Sequence, residues 1–124
     1  MIQIHQFPCL SDNYGYLVHD PASGETTCID TPDAKEYLKQ ADAQGWTITH
    51  IWNTHWHPDH TGGNMLLKDR FGLDIYGPGL IEGRIPGIDI KLGEGDTFKF
   101  GAHSVRVMET PGHTNEHIVF YLED

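Results

Sequence analysis

The sequence predicts a layered α/β fold, an α+β arrangement with strands first and helices laid on one side, and three observations carry that prediction. Near the N-terminus, short segments alternate apolar and polar residues and are separated by turn chemistry. In the middle, two segments repeat apolar residues at helical spacing between short strand-like runs. Toward the C-terminus, strand patterns return without a further helix. A chain of 124 residues has the size of one domain with a modest core, so residues 1–124 are expected to form a single domain.

Taken in order, Ile2 to Phe7 and Tyr14 to His19 read as strands, because each alternates and the residues between them, Pro8 to Asn13, are loop formers. A turn at Asp20-Pro21-Ala22-Ser23-Gly24 leads to a third strand, Thr26 to Asp30, which makes an antiparallel meander. Thr31-Pro32 is expected to open a helix, with a side-chain oxygen at the N-cap, proline at the first helical position and Asp33 in the first turn. Ala34, Tyr37, Leu38 and Ala41 form its apolar stripe, and Gly45 ends it. Ile48 to Asn53 is a fourth strand. A second helix runs from about Gly62 to Phe71, with Leu67 and Phe71 on its buried side and Gly72 as its cap. Strands follow at Asp74 to Tyr76, Thr97 to Phe100 and Ser104 to Glu109, the last two joined by a Gly101-Ala102 turn. Thr110-Pro111-Gly112-His113-Thr114 is a loop after a strand end, and His117 to Leu122 is the final strand.

With 8 basic and 18 acidic side chains the formal charge is −10, which argues against nucleic acid and against anionic membranes as partners. No apolar run has membrane-spanning length, and Met1 to Gln6 lacks a basic start followed by an apolar core. Cys9 and Cys28 stand apart with no CxxC spacing, as reduced thiols in an apolar interior would. A soluble, cytoplasmic protein is expected. Its oligomeric state is not legible.

The chemistry concentrates in Thr54-His55-Trp56-His57-Pro58-Asp59-His60-Thr61-Gly62-Gly63-Asn64, which sets three imidazoles and one carboxylate within six residues. Neutral imidazole and ionised carboxylate are donors that zinc and other divalent first-row metals accept readily. On an extended path the two-residue side-chain period sends His55, His57 and Asp59 one way, while His60 turns off it. Four donors facing two directions are easier to divide between two metals than to wrap around one. Paired cysteines for a finger and the HExxH helix of zinc proteases are both absent from the sequence. The alternative is a cluster of solvated histidines in a turn. His113 sits in a Pro-Gly turn at a strand end, where it can be aimed into a shared cleft or remain an ordinary surface histidine.

An HxHxDH element after a strand, with a further histidine in a later loop, resembles the metallo-β-lactamase superfamily. Within it the chain is similar to the glyoxalase II (hydroxyacylglutathione hydrolase) family. That resemblance rests on Phe7-Pro8-Cys9-Leu10-Ser11-Asp12-Asn13-Tyr14, Cys28-Ile29-Asp30-Thr31-Pro32, Asn53 through Asn64, and Thr110-Pro111-Gly112-His113-Thr114. It implies the N-terminal half of an αββα sandwich. It assigns His55, His57 and His113 to one metal and Asp59 and His60 to a second, with Asp59 also the carboxylate expected to take part in the chemistry. Two divalent ions are implied, zinc by default, with iron or manganese suited by the same donors. The implied reaction is hydrolysis of a glutathione thioester, S-D-lactoylglutathione to D-lactate and glutathione, by a hydroxide bridging the metals.

Departures from the family pattern are Trp56, where a third histidine is usual, and Glu116, where glycine is usual. The family's bridging aspartate, one more histidine and the helical domain that holds glutathione all lie beyond the matched region. The sequence is therefore expected to be the first half of a longer enzyme, nearly inactive alone and holding at most one metal well. Another hydrolase of the same fold (a lactonase or β-lactamase), a persulfide dioxygenase, and a non-catalytic metal-binding fragment are the competing readings. Asp30 either orients a metal-bound imidazole, as the resemblance suggests, or forms an Asx turn before Pro32. Asp12 and Asn13 either shape the cleft rim or only a turn, His5, His19, His50 and His103 carry no spacing signal, and His117, in a strand, is expected to be satisfied by its neighbours rather than to be a ligand.

Overall fold

Alternation along the central strands explains why two apolar layers form. The computed structural model describes residues 2–9, 13–55, 61–79, 85–109 and 118–123, with residues 13 and 123 as backbone only. On the fourth strand Ile51 points to one layer and Trp52 to the other, and on the second Leu17 and Val18 divide in the same way. The first layer gathers Phe7, Cys9, Leu17, Cys28, Ile51 and Ile75 beneath Tyr37, Ala41 and Leu67 of two helices. The second gathers Val18, Trp52, Phe100 and Val105 between two sheets. Each fully buried leucine or isoleucine contributes about 1.5–3 kcal/mol through the water it no longer meets.

The larger sheet holds β1 (Gln3–Cys9), β2 (Asn13–His19), β3 (Thr26–Ile29), β4 (His50–Trp52), β5 (Asp74–Pro78) and β6 (Ile90–Leu92), in that spatial order. β1 to β3 form the expected antiparallel meander. β3 to β6 run parallel, so the chain must cross over the sheet, and α1 (Ala34–Gln44) and α2 (Asn64–Phe71) make the first two crossings. β7 (Thr97–Phe100), β8 (His103–Glu109) and β9 (Ile118–Glu123) form the second sheet, antiparallel throughout. Pro8 is tolerated because β1 is an edge strand.

Several boundaries differ from expectation: β1 continues through Pro8 to Cys9, where a loop was expected, and β4 is shorter than the expected Ile48 to Asn53. α1 is capped by Asp33, whose backbone is extended and whose carboxylate accepts from the Lys35 amide at 3.1 Å. Thr31 is not the cap, because its hydroxyl is committed elsewhere, donating to Asn64 Oδ1 at 2.6 Å. α2 begins at Asn64, after Gly62 and Gly63, and β5 continues through Gly77 to Pro78. β6 carried no periodic signal, because three residues between turns are too few to show one. Gly45 and Gly72 end their helices in the left-handed conformation, as read from the sequence.

Tyr37 locks α1 to the sheet. Its buried hydroxyl donates to the Ile29 carbonyl at 3.0 Å and accepts from the Tyr16 amide at 3.2 Å. Burial drives its pKa far upward, so it remains a neutral bridge. At the end of the sheets where β3, β4 and β8 begin, the Gly101 amide donates to Glu25 at 2.9 Å, and His103 lies 3.7 Å from buried Asp20. Ser23 donates to the same Asp20 at 2.8 Å, and hydrogen bonds from Ser23 outweigh burial to lower its carboxyl pKa.

Candidate metal centre

Parallel strands deliver their C-terminal ends to one edge, and here that edge carries the chemistry. β3 ends into Asp30-Thr31 and β4 ends into Asn53-Thr54-His55. The chain joins these ends with buried polar groups rather than apolar ones. Asp30 stands at φ +60°, the one non-glycine with positive φ among the described residues, held there by its amide donating to Trp52 O at 2.8 Å. Its Oδ1 accepts from the Thr54 amide at 2.7 Å and its Oδ2 from the Thr54 hydroxyl at 2.8 Å. Asp30 thus faces the strand end that leads into the histidine loop, with Thr54 between its carboxylate and His55. The Thr54 hydroxyl in turn lies 2.9 Å from His55 Nδ1.

A second string of hydrogen bonds fixes the start of α2 to the same place. Asn64 Nδ2 donates to Asn53 Oδ1 at 2.7 Å and to the Pro86 carbonyl at 3.1 Å. The Asn53 amide donates to Tyr76 O at 2.7 Å, which ties in β5. Gly63 packs against Thr31 and Ala34 so tightly that a Cβ there would lie 3.0 Å from both, and its amide donates to Thr31 O at 2.8 Å. The segment from residue 56 to 60 is thus bounded by buried His55 on one side and buried Thr61 on the other.

The second sheet reaches this edge too. The Ile118 amide, at the start of β9, donates to the Thr54 carbonyl at 2.8 Å. Ile118 pairs with Glu109 at the end of β8. Glu109 Oε2 also accepts from the Glu94 amide at 3.3 Å.

Of the expected donors, His55 is described and is 2% exposed. His57, Asp59, His60 and His113 lie outside the described residues, as do Asp12, Trp56, Glu116 and His117. Among the described residues no three His, Cys, Asp or Glu side chains could hold a metal ion together. The donor chemistry around His55 nonetheless fits one, since a buried imidazole backed by a hydroxyl and a carboxylate is how metal-ligating histidines are commonly held. The thiols do not compete as ligands, because burial raises the pKa of Cys28 well above the ordinary thiol value and, with Asp33 and Glu36 nearby, that of Cys9 as well. Asn53, Thr54 and Asn64 had no individual role assigned from the sequence, and Thr31 had only that of a helix cap. Residue type alone does not mark them, since threonine and asparagine are common at strand ends and helix starts; their hydrogen bonds do.

A family model described as the metallo-beta-lactamase superfamily matches residues 16–124. The chain belongs to that superfamily. Over all 124 residues it is 58% identical to the hydroxyacylglutathione hydrolase of Erythrobacter litoralis and 55% identical to that of Hyphomonas neptunium, covering 49% and 48% of those proteins. The chain therefore spans about half the length of the curated relatives it matches. The crystal structure of ETHE1 from Myxococcus xanthus superposes on 97% of the chain with a TM-score of 0.82 at 27% identity, using 53% of its own length. The metallo-beta-lactamase fold is thus shown, and membership implies use of divalent metal. No helix among the described residues is long and apolar enough to cross a membrane.

Proposed function

We propose that this chain supplies the first half of a metal-dependent site that hydrolyses a glutathione thioester of a hydroxy acid. The observation that carries the reading is the backing of His55 by Thr54 and Asp30 at the edge where both sheets converge. The hydroxyacylglutathione hydrolases matched over the whole chain support the substrate class. His55, His57 and His113 would hold one divalent ion, and Asp59 and His60 would hold a second. Zinc is the default metal, with iron or manganese compatible with the same donors. When bound, such ions lower the pKa of water toward neutrality and polarise a carbonyl.

The chain's own contribution is to aim those donors and keep the reacting edge ordered. Asp30 and Thr54 hold the His55 ring, the Asn53–Asn64 pair fixes where α2 begins, and the bond from Ile118 to Thr54 brings the two sheets to one place. Asp59, the carboxylate of the motif, would supply an oxygen donor to the second ion. Cys9 and Cys28, protonated and buried, take no part as nucleophiles. Unpaired buried thiols also fit a reducing compartment, which supports placement in the cytoplasm.

The test uses purified full-length protein containing this chain, with S-D-lactoylglutathione as substrate. Free thiol is expected to appear, and His57→Ala is expected to slow its release by more than about 100-fold with the fold intact. Hydrolysis of a lactone or β-lactam with the thioester left untouched would replace this reading with another activity of the superfamily.

A further inference from the structure

We propose that Thr54 is a positioning residue that sets which nitrogen of His55 carries the hydrogen, and so turns the Nε2 lone pair toward the metal site. Counting hydrogens decides the direction of each bond. A threonine hydroxyl has one hydrogen and two lone pairs. At Thr54 that hydrogen goes to Asp30 Oδ2, 2.8 Å away, because an ionised carboxylate can only accept. The contact of 2.9 Å between Thr54 Oγ1 and His55 Nδ1 must then have the imidazole as donor. A neutral ring with hydrogen on Nδ1 has its lone pair on Nε2.

The direction of the chain is set further back. Asp30 Oδ1 accepts from the Thr54 amide at 2.7 Å, and the Asn53 side-chain amide lies 3.5 Å from the same oxygen. The carboxylate cannot rotate without giving up the backbone bond, and Asp30 is held in a left-handed conformation that few residue types accept. The relay therefore starts from a fixed acceptor and ends at His55. It exists in the protein before any metal arrives. Its use in metal binding rests on the function proposed above, whereas the position of the hydrogen does not.

Two substitutions read the relay in opposite senses. Thr54→Val keeps the side-chain shape and removes the acceptor, so the ring should lose its preference for hydrogen on Nδ1. Asp30→Asn is sharper. The backbone amide of Thr54 keeps the carboxamide oxygen at the Oδ1 position, which places NH2 where Oδ2 was. The Thr54 hydroxyl must then accept from that carboxamide and donate to His55, moving the ring hydrogen to Nε2 while the heavy atoms stay in place. Asparagine also tolerates positive φ, so the backbone strain is not worsened.

The experiment is long-range nitrogen-15 NMR of the histidines in metal-free protein, at a pH where the rings are neutral, with His55 assigned by its loss in His55→Gln. The expected result is hydrogen on Nδ1 in the wild type and in Thr54→Ser, mixed tautomers in Thr54→Val, and hydrogen on Nε2 in Asp30→Asn. Zinc affinity, measured by competition with a chromophoric chelator, should fall at least about 10-fold in Thr54→Val and recover in Thr54→Ser. Hydrogen on Nε2 in the wild type, or an unchanged tautomer in Asp30→Asn, would overturn the proposal. A wild type that shows the expected tautomers but takes up no zinc would leave the relay standing and remove the metal-site reading instead.

Discussion

Single side chains in this protein matter most where a buried polar atom has one designated partner. Tyr37 shows this in the sheet, since its hydroxyl serves both the Tyr16 amide and the Ile29 carbonyl. Tyr37→Phe should cost about 1–3 kcal/mol, the penalty for leaving buried backbone groups unserved, measured as a shift in the urea midpoint. Gly15→Ala should be destabilising for a steric reason, because a Cβ there would run into the Phe7 ring and the Tyr37 hydroxyl. Proton-linked stability belongs at this scale as well. Burial lowers the pKa of His50 from 6.5, outweighing the opposing pull of Glu25 and Asp74, so the unfolded chain takes up the proton first. Stability is then lost as pH falls below 6.5 toward the folded-state value. Asp20, lowered from 3.8, adds a further loss at more acid pH, as its carboxylate is finally protonated. His50→Gln should therefore narrow the drop in urea midpoint between about pH 7 and about pH 5. The histidine run was plain in the sequence because ligand types at fixed spacing leave a pattern. The parts of Thr54 and Asn64 were not, because threonine and asparagine are ordinary residues at strand ends and helix starts, and only their partners reveal the work.

Elements were legible to the extent that they were long enough to be periodic. The meander, both helices, their glycine ends and the β7–β8 hairpin all follow from apolar spacing and turn residues. β6 did not, since Ile90–Leu92 is recruited by pairing with β5 rather than by its own pattern. The start of α1 differs from the expected one because Thr31 and Asp33 both suit an N-cap, and the competing bond from Thr31 to Asn64 decides between them. Asp33→Ala should then lower the stability of the protein by about 1 kcal/mol, seen as a reduced melting temperature, while Asp33→Ser keeps most of it. For the candidate site, strand ends were predicted and found, but agreement across two sheets depends on tertiary contacts such as Ile118 to Thr54. No local pattern encodes those.

At the scale of the molecule, six strands face three among the described residues. The second sheet covers Trp52 and Tyr76 but leaves an apolar cleft of about 440 Å³ between β9 and the β1–β3 side of the larger sheet, lined by Ile2, Ile4, Tyr16, Val18 and Leu122. Ile4 is 68% exposed there, and Tyr121 on β9 is 56% exposed. Surface of this kind promotes association. Ile4→Lys is expected to reduce both hydrophobic-dye fluorescence and light scattering, with a stability change within about 0.5 kcal/mol. The chain alone, half the length of its curated relatives, should likewise show at most one tightly held metal by elemental analysis and almost no turnover. Sustained thioester turnover that His57→Ala abolishes would contradict this. The amide of Ile118, resting on the Thr54 carbonyl, has a mechanical corollary. It rivets one layer to the other one residue from His55, so sliding of the layers must disturb the distance between the loops that precede β9 and follow β4. A cation gripping both loops would brake that slippage, and the Ile118 proton should then exchange with solvent more slowly once metal is added.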